Sequence, residues 1–138
     1  MNTLAFIPAR SGSKGVKDKN IRNLNGIPLL AYSVHIAQLC FKQGIFSDVL
    51  VSTDSIHYLE KIKQTGYTNQ YIRPKKLAQD ESPTIDAIIH ALNDYCSEKK
   101  YNSVVIERVK DYYRYERYTH VCLPENWLLK NWNEYILA

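Results

Sequence analysis

The sequence predicts an α/β fold in which helices cover both faces of a mostly parallel sheet. Three observations predict it. Short apolar runs alternate with longer segments of helical periodicity. The helical segments open on a proline or a serine, and the first two stop at a glycine. A loop of small and basic residues follows directly on the first apolar run, at the carboxyl end of a strand, where open α/β sheets bind their ligands.

The elements follow in order. Thr3 to Ile7 reads as a strand buried on both faces, because its residues are apolar without alternation. The basic loop comes next, then a turn at Asn25-Gly26. Pro28 to Gln43 reads as a helix. Pro suits the first turn, apolar or small residues recur at Leu29, Leu30, Ser33, Ile36, Ala37 and Cys40, and Gly44 ends it. Asp48 to Ser52 is a second strand, and Ser55 to Gln64 a helix ended by Gly66. Gln70 to Ile72 reads as a third strand. Pro83 to Lys99 reads as a helix capped by Ser82, with Ile85, Ile88, Ile89, Leu92 and Tyr95 on one face. Ser103 to Ile106 is a fourth strand. Repeated strand–helix units imply parallel pairing. Arg10, Asp54 and Arg73 all follow strand ends, so one crevice can collect them.

At 138 residues the chain has room for one domain with a sizeable core. The net charge of +4 is modest, and cations crowd into one stretch: Arg10, Lys14, Lys17, Lys19 and Arg22. That is a local anion site more than a nucleic-acid surface. Cys40, Cys96 and Cys122 show no Cys-x-x-Cys spacing and form an odd set, so they read as buried reduced thiols. His35, His57, His90 and His120 have no metal-ligand spacing. No apolar run approaches the ~20 residues of a membrane span. A soluble, cytoplasmic protein is expected.

The chemistry lies in the run Ile7-Pro8-Ala9-Arg10-Ser11-Gly12-Ser13-Lys14-Gly15, closed by Lys19-Asn20. Small residues let main-chain N–H groups approach an anion, and the cations supply countercharge. The spacing is not that of a Walker loop, since no Gly-Lys-Ser/Thr follows. The run resembles the signature loop of the N-acylneuraminate cytidylyltransferase (CMP-sialic acid synthetase) family. The resemblance continues through Asn23 to Ser33, Val51-Ser52-Thr53-Asp54-Ser55, Arg73-Pro74, Leu77-Ala78-Gln79-Asp80 and Ser82 to Asp86, and covers about residues 3–105.

The resemblance implies a three-layer, Rossmann-like nucleotide-diphospho-sugar transferase fold. It implies transfer of CMP from CTP to a nine-carbon acidic sugar, N-acylneuraminate or a related nonulosonate such as legionaminic or pseudaminic acid. Lys14-Gly15 and Lys19-Asn20 fit this branch better than the eight-carbon Kdo branch. By resemblance, Arg10 and Lys19 stabilise the reacting phosphates, Ser13, Lys14 and Gly15 wrap them, and Asn20 touches the nucleotide. Arg73, Ser82 and Thr84 match positions near the base; their ordinary reading is a turn arginine and a helix cap. Asp54 can orient ribose or a cation, or serve as a cap. The family also implies Mg²⁺ and a homodimer, but its metal-binding aspartates, its sugar-contacting segment and its dimer region are not found in this chain.

After Val105 the pattern stops, where the chain reads Ile106-Glu107-Arg108-Val109-Lys110-Asp111. Residues 1–106 are expected to form the nucleotide-binding domain and 107–138 a divergent Tyr- and Trp-rich segment. Leu123 to Leu137 there predicts an amphipathic helix. All of the glycines lie at or before Gly66, while more than half of the eleven tyrosines lie after residue 100, so the two parts differ in kind. The abrupt change reads as truncation or frameshift of a longer ancestral chain. A family-like continuation in another frame of the downstream DNA is the observation that would support it. Two rival readings follow: a catalytically inactive remnant that binds CTP, and a nucleic-acid-binding module using aromatic residues among cations. Acids and bases balance after residue 100, which argues against the second.

Overall fold

The computed structural model describes residues 2–12, 15, 17–95 and 101–109. The sheet is built around β1 (Thr3–Pro8), with β4 (Asp48–Ser52) on one side and β5 (Ser103–Ile106) on the other, all parallel. In register, Ala5 pairs with Val49 and Val105, and Phe6 with Leu50 and Ile106. A central strand has no solvent face, and this is why Leu4 to Ile7 are all apolar and buried.

Side-chain alternation along β1 divides the core into two layers. Ala5 and Ile7 pack with Leu30, Val34 and Ala37 of α1 (Leu29–Lys42). Leu4 and Phe6 pack with Ala87, Ile88 and Ala91 of α3 (Thr84–Asp94) on the opposite face. The predicted three-layer arrangement is therefore present. Between β1 and α1 a small hairpin pairs β2 (Asn23–Leu24) with β3 (Ile27–Pro28). Asn25 and Gly26 both have positive φ, 55° and 80°, as a tight two-residue hairpin turn requires.

Several expected elements differ in detail. The segment after β4 forms α2 (Ile56–Lys61), capped by Ser55, whose hydroxyl accepts from the Tyr58 N–H at 3.3 Å. Its last turn tightens into a short 3-10 helix, Lys63–Thr65, before Gly66. The strand expected at Gln70 to Ile72 does not form. The outer N–H of Val51 in β4 is taken by the Tyr67 hydroxyl at 2.9 Å, and the Tyr71 N–H turns to the Asn69 side chain at 2.7 Å. Two main-chain donors are thus diverted into side-chain bonds, which compete with a ladder. One main-chain bond remains between this segment and the end of β4, from Arg73 N to Thr53 O at 2.8 Å.

α3 also departs from its expected form. Pro83, not Ser82, holds the cap position, and no side chain caps the helix. The Ser82 hydroxyl instead accepts from Gln79 N at 3.1 Å and sits 3.3 Å from Lys76 O, to which it donates. The face expected in the core is rotated. Ile85, Ile89 and Tyr95 are 57%, 48% and 46% exposed, while Ala87, Ile88 and Ala91 are buried. Small alanines let the helix lie close to the sheet, and size decided the face where hydrophobicity alone did not. The helix is described to Asp94; its expected extension to Lys99, the residues from Lys110 onward, Cys96, Cys122 and the predicted helix at Leu123 to Leu137 lie outside the described residues. Cys40, in α1, is buried and free, as expected. No helix among the described residues is long and apolar enough to cross a membrane.

Candidate nucleotide site

Beyond the carboxyl ends of the strands lies a crevice of about 370 Å³. It brings together Arg10, Lys19, Asn20, Arg73, Ser82 and Thr84, six of the residues singled out in the sequence. Pro8 forms its floor at the end of β1. Arg73 comes from the β4 side, Ser82 and Thr84 from the start of α3. Ser13 and Lys14 lie outside the described residues. Gly15 is exposed and has φ +85°, a left-handed conformation that favours glycine.

The loop after β1 is held from within and from behind. Asn20 Nδ2 donates to the Arg10 carbonyl at 3.0 Å, closing the loop on itself. Asp54, just after β4, accepts from Ser11 N at 2.8 Å and from Ser11 Oγ at 2.7 Å, so both carboxylate oxygens are engaged. Tyr58, 1% exposed, donates to Asp18 Oδ1 at 2.9 Å. Burial, and after it the bond and charge of Asp18, push the Tyr58 phenol well above its ordinary range, which keeps it a donor.

The cations differ in their freedom. Arg10 donates to the Gly12 carbonyl and forms an ion pair with Asp80 at 2.9 Å. Arg73 is 5% exposed. Its guanidinium donates to Ser52 Oγ, Ser52 O and Leu77 O at 2.8, 2.9 and 3.3 Å, tying the end of β4 to the turn that follows. Burial lowers its pKa, and Arg10 adds to this, while Asp54 and Tyr71 oppose it. Lys19 and Arg108 form no ion pair among the described residues.

Arg108 is the residue that sequence reasoning missed. It lines the crevice from the β5 side, with Val109 beside it. The signal was present: Arg108 lies two residues past the end of β5, as Arg10 lies two past the end of β1. Because the strands run in the order β4, β1, β5, Arg73 and Arg108 flank Arg10 on opposite sides.

A second cavity, of about 340 Å³, lies against α1 and is lined by Tyr32, His35 and Gln64 among others. Its described lining carries no Lys or Arg, and burial, with the charge of Lys42, lowers the His35 pKa and so favours the neutral imidazole. It is therefore not the anion site. No group of three His, Cys, Asp or Glu among the described residues can hold a metal ion. Asp18, Asp54 and Asp80 each already accept from, or pair with, a protein cation or donor. These residues do not fit a protein-held Mg²⁺.

Residues 4–111 match the family model described as cytidylyltransferase. The chain belongs to the cytidylyltransferase family. It is 35% identical to an N-acylneuraminate cytidylyltransferase of Escherichia coli, over 83% of this chain and 29% of that protein. It is 35% identical to a pseudaminic acid cytidylyltransferase of Campylobacter jejuni and 37% identical to a CMP-N,N'-diacetyllegionaminic acid synthase of Legionella pneumophila, in each case over 67% of this chain and 38% of the relative. The chain thus spans about a third of the length of these curated relatives. Among solved structures, a CMP:2-keto-3-deoxy-manno-octonic acid synthetase complexed with CTP superposes with a TM-score of 0.60 at 15% identity, over 80% of this chain and 41% of that one. At that identity the likeness concerns the fold. The family match and the crevice both run past residue 106, where the nucleotide-binding part was expected to end.

Proposed function

We propose that this chain binds CTP in the crevice and forms the nucleotide-binding part of a cytidylyltransferase. Its acceptor is an acidic nine-carbon sugar, N-acylneuraminate or a related nonulosonate, and its products are the CMP-sugar and pyrophosphate. The observation that carries the reading is the convergence of Arg10, Lys19, Asn20, Arg73, Ser82 and Thr84 on one crevice at the strand ends. The names of the relatives support the acceptor class.

In this reading the triphosphate lies over the loop from Arg10 to Lys19. The acceptor hydroxyl attacks the α-phosphorus and gives up its proton to solvent water, the bond to the bridging oxygen breaks, and pyrophosphate leaves with the charge. Arg10 and Lys19 meet that charge, which is where fixed cations lower a barrier. Arg10 must exchange its partner Asp80 for phosphate. Ser82 and Thr84, at the start of α3, face the nucleoside side, and the packed Arg73 shapes the wall between. Mg²⁺ is the usual companion of such a triphosphate.

A second reading, binding without turnover, is favoured by one observation: Asp18, Asp54 and Asp80 each bind a protein donor or cation. The test is calorimetric titration of the purified chain with CTP, followed by pyrophosphate release with N-acetylneuraminate and Mg²⁺. Saturable CTP binding is expected, with turnover absent or slight. No CTP binding would overturn the proposal, and brisk Mg²⁺-dependent formation of the CMP-sugar would overturn the second reading.

A further inference from the structure

The turn between β4 and α2 places two side chains behind the loop of the crevice, and neither of them lines it. Asp54 grips Ser11 twice, through its N–H and its hydroxyl. Tyr58 donates to Asp18, and its hydroxyl lies 3.3 Å from the Ser11 carbonyl. Ser11 is the neighbour of Arg10, and Asp18 is the neighbour of Lys19. Arg10 and Lys19 therefore each sit next to a held residue.

Asp18 has φ 51°, a left-handed conformation uncommon outside glycine. Aspartate adopts that conformation more readily than most residues, and the Tyr58 hydroxyl bonds its carboxylate in place. Tyr58 is itself fixed: it is buried, and its N–H is bound by Ser55. Burial and the adjacent carboxylates keep the phenol protonated, so it remains a donor throughout the neutral range.

We infer that Asp54 and Tyr58 are positioning residues for the triphosphate, a two-point clamp that shapes the loop so that Arg10 and Lys19 meet the phosphates without further ordering. The inference rests on the reading of the crevice as a CTP site. It gives Asp54 a task in which its oxygens stay on Ser11. A loop already shaped for its anion loses less entropy on binding, and its dipoles need not reorganise.

The test uses Tyr58→Phe, which removes one hydroxyl, and Asp54→Asn, which replaces an acceptor by a donor facing Ser11. Three quantities are read: melting temperature, hydrogen exchange of amides 11–21, and affinity for CTP and for inorganic triphosphate. Exchange in 11–21 should quicken in both variants while the amides of β1 and α1 stay unchanged. Affinity for both ligands should fall about tenfold, the scale of one or two lost hydrogen bonds. Equal losses for the two ligands would place the effect at the phosphates. A lower melting temperature with unchanged affinity would overturn the inference, since it would show ordinary packing. Unchanged exchange and affinity would do the same. If the wild-type chain bound neither ligand, the CTP reading would fail, and the exchange data alone would show whether the clamp shapes the loop.

Discussion

Arg10 and Asp80 hold each other 2.9 Å apart in the free chain, with the Arg10 side chain 26% exposed and that of Asp80 43%. The pair sets two predictions of opposite sign. Arg10→Ala should weaken CTP binding by about 1.5–3 kcal/mol, the range for a hydrogen bond to a charged group, as read by calorimetry. Asp80→Asn should strengthen it two- to fivefold, because a competitor for the guanidinium is removed and a partly exposed ion pair is worth only about 0–1 kcal/mol. Weaker binding by Asp80→Asn would instead make Asp80 a support for Arg10. A third prediction concerns the cation on the β5 side. Arg108→Ala should lower CTP affinity roughly tenfold, with part recovered in Arg108→Lys, since charge survives but the planar donor fork does not. Equal affinity across the three proteins would remove Arg108 from the site. Of these residues, Arg10 was legible in the sequence, because a cation in a loop of small residues after a strand has few other uses. Its partner was not, because nothing local links positions 10 and 80.

At the scale of elements, α1 and β4 matched their expected bounds to within a residue, because strong apolar runs end at clear breakers such as Gly44. α3 matched its expected face only in part: Ile88 and Leu92 pack in the core, while Ile85, Ile89 and Tyr95 are exposed. Ile85 and Ile89 carry more apolar surface than Ala87 and Ala91, yet the alanines face the sheet. Periodicity shows that a helix has an apolar side, but close packing chooses which stripe touches. The missing strand at 70–72 has a similar cause. Asn69 and Tyr67 divert the bonds that a ladder needs, and their reach is visible only in three dimensions. α1 also carries a pH prediction. Burial, and after it the charge of Glu107, push the Cys40 thiol from 9.0 up to about 12. A raised folded pKa means that the unfolded chain releases this proton first. The contribution is therefore complete below about pH 9 and is lost as pH rises towards 12. Wild type should lose up to about 1.4 kcal/mol per pH unit more than Cys40→Ala across that window, as read by urea melts. Parallel pH profiles for the two proteins would contradict it.

A preference for one base is a prediction at the scale of the whole molecule. Ser82 and Thr84 reach the crevice only because α3 packs on the face opposite α1, with its start at the carboxyl edge of the sheet. If that wall reads the base, CTP should outcompete ATP and GTP, because a pocket that fits cytosine has no room for the second ring of a purine. Competition without preference would confine recognition to the phosphates. The amino-acid sequence by itself determined the α/β class, the order of the strands and helices along the chain, and the basic loop, since each rests on contacts between near neighbours. The packed fold alone decided that Asp54 and Tyr58 stand behind that loop, that Asp80 faces Arg10, and that Arg108 completes the crevice. Those partners lie tens of residues apart, and the order β4, β1, β5 that brings them together rests on pairing between strands distant in the chain, which no local pattern encodes.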